Sequence, residues 1–380
     1  MVAVRKPKFS KGTYFDYPTL FLTLFLALFG LVMIYSTSSY MANIEYGDGA
    51  YYFKRQFIFM LIGLVFMYLL SRYRYQRFKR FALLIAILQI VLLVLVLIVG
   101  TSVNGSTRWI YIGPIGFQPS EIAKLTLIIY SAAMCSDHPE LTKNLKGFGI
   151  LMIIPAIVCG LIVKDNLSTA IICAGIVVCV WFIATTRPTL IVPIVILGIL
   201  AVILFISLKG YRSARIEAWL NPETTENGYQ TMQALYAIGS GGMFGRGLGQ
   251  SIQKMGYIPF AQNDMIFSVV CEELGIVGAV GLLAVFVMLL WRFRFIAEGA
   301  PDKFGAFIVI GVLSHIGIQV VINVAVVTNV VPNTGVPLPF ISYGGSSLTF
   351  LLLEIGIALS VSRQIKPTSV QEQEKLEAME

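Results

Sequence analysis

Long uninterrupted apolar runs constrain this chain more than any other feature. Stretches near 18–38, 82–101, 265–292 and 304–326 each hold about 18 or more consecutive, mostly apolar residues. That length spans the roughly 30 Å hydrocarbon core of a bilayer as a helix. Hydrophobic residues make up 57% of the 380 and charged residues only 13%, which leaves too little polar surface to cover a soluble globule. A transmembrane barrel would instead show short alternating segments, and none is read here. The expected class is therefore all-α, a polytopic integral membrane protein with about ten spans. They are read near 18–38, 56–71, 82–101, 119–135, 147–163, 167–185, 189–208, 265–292, 304–326 and 345–364.

The formal net charge of +8 follows the same pattern. Basic residues gather at the N-terminus (Arg5, Lys6, Lys8, Lys11), in SRYRYQRFKR after the second span, and in RFRF after the eighth. Ten spans put all three on one side. The positive-inside rule makes that side the cytoplasm, with both termini there, and the charge is read as topology and anionic headgroups rather than nucleic acid. The first run is too long for a cleavable signal peptide and lacks a small-residue cleavage site. The expected organisation is a cytoplasmic segment 1–17, a membrane domain 18–364 and a polar cytoplasmic tail 365–380. A large external loop, 209–264, joins the seventh and eighth spans. Cys135, Cys159, Cys173, Cys179 and Cys271 lie in or beside apolar runs without CxxC spacing, and His138 and His315 stand far apart. Apolar packing is expected of the thiols, with neither a disulfide framework nor a zinc site.

Polar residues against this background carry the chemistry. Asp264, in AQNDMIFSVVCEELG, stands at the mouth of the eighth span. Partial burial would raise its pKa and make it a better base. A helix N-cap is the competing role. Glu121 and Lys124 are three apart on one helical face, either a mutually neutralising pair or groups facing a substrate. Pro119 fits the first turn of their helix, with Gln118 or Ser120 at its start. Glu272 or Glu273 falls about 12 Å deeper than Asp264 on a similar face. For these glutamates, Glu354, and the face-sharing pair Gln319 and Asn323, interhelical hydrogen bonding is the expected role. Arg108, Arg212, Arg215, Arg246 and Lys254 are external cations, suited to an anionic headgroup if they converge and otherwise scattered at the interface. GSGGMFGRGLG is no Walker loop and reads as turns allowing close backbone approach. VVPNTGVPLPFISYGG is apolar yet rich in Pro and Gly, which suits backbone dipping into the membrane face under protein cover. The residues alone fit either an enzyme for a lipid-linked anion or a transporter.

The motifs in order, NGSTRWIYIGPIGFQPSEIAKL, YRSARIEAWLNP, GYQTMQALYAIGSGGMFGRGLGQSIQKMGYIP, NDMIFSVVCEELG and PNTGVPLPFISYGGSS, resemble the SEDS family of FtsW, RodA and SpoVE over nearly the whole chain. QSIQKMGYIP looks more like the FtsW and SpoVE branch. The resemblance implies a peptidoglycan glycosyltransferase that joins lipid II into glycan strands on the outer face of the cytoplasmic membrane, releasing undecaprenyl pyrophosphate. It implies Asp264 as general base. It further implies Arg108, Glu121, Lys124, Arg212, Arg215, Lys254, Ser342 and Ser346 as substrate contacts, a divalent cation (Mg2+ or Mn2+) shared with Asp264, and a class B penicillin-binding protein as partner. A lipid II flippase and a noncatalytic division scaffold are the rival readings. The chain departs from the family at Phe260 and Gln262, where a Glu and a His are usual, and at Asp165–Asn166, where the usual Asp is shifted by one.

Overall fold

The computed structural model describes residues 14–103, 106–112, 115–164, 166–207, 210–225 and 228–365. For 101–103, 106–108, 111–112, 115, 201–207 and 210–214 it describes the backbone alone. The segments 1–13 and 366–380 and residue Asp165 lie outside the described residues.

Helices dominate. In order they are α1 (Tyr17–Tyr46), α2 (Tyr51–Arg72), α3 (Gln76–Val99), α4 (Pro119–Asp137), α5 (Leu145–Leu151), α6 (Ile153–Val163), α7 (Leu167–Ala184), α8 (Ile191–Ser207), α9 (Gly210–Leu220), α10 (Tyr229–Gly241), α11 (Ile266–Glu298), α12 (Lys303–Val327) and α13 (Gly345–Ser362). Each of the ten stretches read as a span coincides with helix. Among the described residues, seven helices are long and apolar enough to cross a membrane alone, and α5 with α6, bent by 56°, makes an eighth. The full count of ten rests on α4 and α8 as well: α4 is 19 residues long but carries Glu121 and Lys124.

Local chemistry sets several helix starts. Asp16 accepts from the Thr19 N–H at 3.3 Å, Asn166 from Thr169 at 3.0 Å and Asp302 from Gly305 at 2.7 Å. Each such side-chain cap contributes about 1 kcal/mol. Pro119 opens α4 after Gln118, where its missing N–H leaves no orphan donor. The Asp16 carboxylate also pairs with Arg292, tying the start of α1 to the far end of α11.

α12 forms the centre of the bundle, packed against α4, α7, α11 and α13, and α13 lies along α2. By contrast α2 and α3 turn broad apolar faces outward (Ile58, Val65, Leu84, Leu88 and Val91 are more than half exposed). Such faces suit lipid contact.

Two features depart from the sequence reading. A three-stranded antiparallel sheet, β1 (Thr101–Val103), β2 (Ser106–Ile112) and β3 (Ile115–Phe117), joins α3 to α4, where only a loop between spans was read. The β-branched and aromatic run STRWIYI, bounded in sequence by Asn104–Gly105 and Gly113–Pro114, was the available signal. The eighth span is also longer than read and is broken at Gly275 (φ +67°). The 209–264 segment, read above as an external loop, is partly helical, holding α9 and α10.

That break explains the glycine-rich loop. Interrupting α11 frees backbone groups that need new partners. The loop after α10 supplies them. Arg246 N–H donates to Glu272 O and Gly247 N–H to Glu273 O, both at 2.9 Å, while Ile276 and Val277 N–H donate to Gly242 O at 3.0 Å and Met243 O at 3.1 Å. Approach is so close that a Cβ on Gly275 would stand 2.3 Å from Gly245 N. The turn reading of GSGGMFGRGLG is thereby given its reason.

The 328–344 segment also lies deep. Val336, Leu338, Phe340 and Ile341 are buried. A Cβ on Gly30, near the middle of α1, would stand 2.2 Å from the Phe340 carbonyl oxygen. Gln56 of α2 holds this segment from the side, donating to Ser342 O at 3.5 Å and accepting from Gly344 N–H at 3.1 Å. Non-helical backbone at this depth is tolerable because protein covers it.

Candidate active site

Asp264 sits just ahead of α11. The helix is capped at Met265, whose side chain makes no cap bond, so the N-cap role weighed for Asp264 does not hold. Its backbone is fixed instead from α12: Asn323 Nδ2 donates to Asp264 O at 2.7 Å and to Val336 O at 2.8 Å. Val336 belongs to the deep 328–344 segment, so one amide clamps both loops. Burial pushes the Asp264 carboxyl above the usual aspartate range, against the opposing pull of Arg215 and the N–H groups of Asp264 and Met265. The carboxylate faces Gly335, where a Cβ would stand 3.9 Å from Oδ2.

Arg215 reaches this mouth from α9 and donates to Asn333 O at 3.2 Å. α9, α10 and the 328–344 segment are knitted together around it. Trp219 Nε1 donates to Asn329 O at 3.0 Å, Asn333 Nδ2 to Gln230 Oε1 at 3.1 Å, and Gln230 Nε2 to Pro259 O at 3.3 Å. The predicted cation and the predicted base therefore meet in one place. Arg108 lies in β2 and Arg212 in α9, but both side chains fall outside the described residues.

Glu121 and Lys124 form a buried ion pair at 3.0 Å, and the Ser347 hydroxyl of α13 donates to the Glu121 carboxylate. The three-residue spacing delivered the pair, and neutralisation is its visible role. Ser346 is half-buried in the first turn of α13. Ser342 is buried and accepts from the Leu338 N–H at 2.8 Å, closing the turn around Phe340. That bond gives Ser342 a structural task.

Lys254 needs a correction. It was expected as one of the external cations and, from the resemblance, as a substrate contact. Its ammonium is buried and donates to Glu273 Oε1 at 2.7 Å and Ser36 Oγ at 2.9 Å. A desolvated ammonium requires such partners, and it finds them at the helix break. Glu272 is closed as fully: it accepts from Ser251 Oγ and from the N–H groups of Ile252 (3.1 Å) and Gln253 (3.4 Å), with Arg246 at 3.7 Å. The expectation of interhelical bonding holds for Glu273 through Ser36 of α1.

A cavity of about 180 Å³ lies between α1, α2 and the stretch before Asp264, lined by Thr37, Tyr52, Lys254, Phe260 and Gln262 among others. Phe260 adopts a left-handed φ of +51° and is 60% exposed, while Gln262 is buried with its carbonyl accepting from Tyr343 N–H at 2.8 Å. Of the departures from the family pattern, Phe260 is thus an exposed residue and Gln262 a buried one, and both line this cavity.

Among the described residues no three His, Cys, Asp or Glu side chains converge as metal ligands. Glu272 and Glu273 are committed to other partners, and the cavity before Asp264 is lined by the single described carboxylate-bearing residue Glu45. The described residues therefore make no protein cage for Mg2+ or Mn2+. Sequence reasoning missed one buried contact altogether: His315 Nδ1 meets Glu354 Oε2 at 2.8 Å, joining α12 to α13. No signal in the sequence pairs two residues 39 apart on separate helices.

Comparison with known proteins bears on all of this. Stage V sporulation protein E of Bacillus subtilis is 40% identical over 363 residues, covering 93% of this chain and 98% of that protein. A probable peptidoglycan glycosyltransferase FtsW of Trichlorobacter lovleyi is 40% identical over 369 residues, covering 96% of each. In structure, the Thermus thermophilus rod shape determining protein RodA superposes with a TM-score of 0.68 at 27% identity, over 93% of this chain and 98% of that one. A chain of a peptidoglycan synthase complex that coordinates polymerization and crosslinking superposes at 0.78 and 30% identity, over 92% and 98%. The higher identities fall on the FtsW and SpoVE side, as QSIQKMGYIP suggested. The FtsW/RodA/SpoVE family profile, described as cell cycle protein, matches residues 17–367, and the chain belongs to that family.

Proposed function

We propose that this chain is a peptidoglycan glycosyltransferase that polymerises lipid II at the outer face of the cytoplasmic membrane. One observation carries the reading: a carboxylate made more basic by burial, Asp264, is fixed at a helix start opposite a guanidinium, Arg215. Glycosyl transfer from a lipid pyrophosphate needs those two things, a base for the attacking hydroxyl and a cation for the leaving group. The acceptor sugar hydroxyl attacks the anomeric carbon of the growing strand. Its proton passes to Asp264, the new C–O bond forms, and the bond to undecaprenyl pyrophosphate breaks. Charge that develops on the pyrophosphate is met by Arg215, with Arg108 and Arg212 assigned to the same task by the family resemblance. A divalent cation, where one takes part, would be held by Asp264 and would offset charge on the leaving pyrophosphate.

The same reading places both termini in the cytoplasm and the 209–264 segment outside. It gives the chain a class B penicillin-binding protein as partner. Support comes from the basic N-terminal and inter-span loops and from the related chain in a synthase complex.

The test is polymerisation of labelled lipid II by purified protein, with and without the partner, in moenomycin to silence other glycosyltransferases. Wild type yields glycan ladders. Asp264→Asn, correctly folded, loses roughly 10²–10⁴-fold in rate, the contribution of a positioned base. Ladders that survive the substitution remove Asp264 from the mechanism. Lipid II movement between liposome leaflets without ladders replaces the polymerase with a flippase.

A further inference from the structure

The cavity beside the turn between α1 and α2 has no task in the chemistry at Asp264. Its volume is about 180 Å³, and Thr37, Glu45, Tyr52, Lys254, Phe260 and Gln262 give its wall its character. Sites that enclose a drug-sized ligand run to roughly 300–1,000 Å³, so this one suits a single ring. Its aromatic wall is fixed before any ligand arrives. Tyr52 meets Tyr46, Tyr51 and Tyr343 edge-on, with ring centroids 5.9, 5.3 and 4.9 Å apart. Tyr46 also stacks flat on Tyr51 at 4.0 Å. Tyr343 N–H donates to Gln262 O at 2.8 Å, which ties the aromatic wall to the stretch before Asp264. On that stretch Phe260 holds its ring 60% exposed from a left-handed backbone, φ +51°. The conformation is costly for a bulky side chain, and such strain gathers at ligand clamps.

The polar groups of the wall narrow the ligand class. Gln262 is only 5% exposed, yet no hydrogen bond reaches its side-chain amide among the described residues. A ligand must bring an acceptor for its N–H groups and a donor for its carbonyl. An acyl chain brings neither and would leave the amide dry and unpaired. A phosphate is equally unsuited. Glu45 and Lys254 are the charged residues of the lining, and Glu273 takes the Lys254 ammonium at 2.7 Å. No cation is left over for an anion, and the Glu45 carboxylate repels one. An uncharged ring with an apolar C–H face and polar substituents at its edge meets every requirement. The C–H face lies on an aromatic ring, whose π-face is negative. Hydroxyl groups donate to Glu45, and an acetamido group offers Gln262 both a donor and an acceptor.

We propose that this cavity is a saccharide subsite, which holds one N-acetylated sugar ring between Tyr52 and Phe260 through hydrogen bonds to Gln262 and Glu45. The inference rests on the reading of the chain as a polymerase of lipid-linked amino sugars, and it names where part of that substrate sits. Gln262 stands two residues before Asp264, so a ring held here belongs to a saccharide at the reacting centre without being the ring that reacts. The ring comes from the incoming lipid-linked disaccharide or from the growing strand, and the chemistry of recognition is the same for both.

The experiment uses the full chain with its penicillin-binding protein in nanodiscs. Wild type is compared with Gln262→Leu, Phe260→Gly and Glu45→Gln, each checked for an undiminished Tm. Gln262→Leu strips the amide while no neighbour loses a partner, and Phe260→Gly removes the ring while relaxing its backbone. The first readout is calorimetric binding of a soluble tetrasaccharide of alternating N-acetylglucosamine and N-acetylmuramic acid. The subsite predicts binding roughly tenfold weaker in each variant, the worth of one hydrogen bond or ring contact. The second readout is lipid II polymerisation, with kcat unchanged because none of these groups touches the reacting atoms. A KM for lipid II raised roughly tenfold at constant ladder length assigns the ring to the incoming disaccharide. Shorter ladders at constant KM assign it to the growing strand. Tetrasaccharide binding that depends on Gln262 and Phe260, without ladders from wild type, keeps the subsite and removes the polymerase. Binding, KM and ladder length that match wild type in folded Gln262→Leu and Phe260→Gly overturn the subsite while the polymerase stands.

Discussion

Two buried polar clusters share this bundle and are finished differently. At the break in α11, Glu272 and Glu273 are closed on every side by Ser36, Ser251, Lys254, Arg246 and backbone N–H groups. Between α12 and α13, His315, Gln319, Asn323 and Glu354 each keep one atom open. Both are ionisable, both are buried, and both would read from sequence as intramembrane charge. Completed valences identify a brace, while the open ones leave buried polar atoms that water must serve. Charge inside a membrane protein is informative only once its partners are counted.

The largest effect should come from breaking the closed cluster. Glu273→Ala leaves the Lys254 ammonium buried and unpaired, which costs about 3–5 kcal/mol. Thermal unfolding in detergent should show a large fall in Tm. Replacing Glu273 and Lys254 together by methionine should restore most of it, with KM for lipid II intact because Lys254 braces the fold. A raised KM in a stable double variant would return Lys254 to the substrate site.

Next in size is Gly275→Ala. The left-handed backbone alone costs about 1–2 kcal/mol for a side chain, and the new Cβ would press on Gly245 N from 2.3 Å. Loss of the glycine-loop docking should appear as faster amide exchange at Arg246, Gly247, Ile276 and Val277, while the α12 residues keep their protection. Equal loosening of both regions would erase the distinction drawn between them.

The smallest effect sharpens the comparison at Asp264, which belongs to neither cluster. Its folded pKa lies above the unfolded value, so the folded state binds more protons across that window and loses stability as pH rises through it. Asp264→Asn should therefore give a small rise in Tm at neutral pH, absent in acid, even as polymerisation fails. Wild-type activity should fall as pH drops through the raised value. A Tm difference that does not vary with pH would remove burial as the source of the base strength.

Much of this was legible beforehand. Every apolar run became a helix, because length against bilayer thickness leaves few alternatives. The pairing of Glu121 with Lys124 followed from helical spacing, and Asp264 was singled out by position. The break at Gly275 was not legible, since EELGIVGAVG continues the apolar pattern and the glycine loop that stabilises it lies about thirty residues earlier. Lys254 was misread for a related reason. A cation in an outer loop looks solvated until the loop is seen to fold back onto its own helix. The sheet at Thr101–Phe117 was hidden by the apolar spans on either side of it.

The fit of the Phe340 carbonyl against Gly30 constrains how the chain is made. Gln56 and Ser342, which hold that turn in place, are 286 residues apart. The helices that receive the turn are synthesised long before it, and leave the ribosome with a groove at Gly30 and an unmet amide at Gln56. This end of the bundle is therefore completed only once the 328–344 segment has been made.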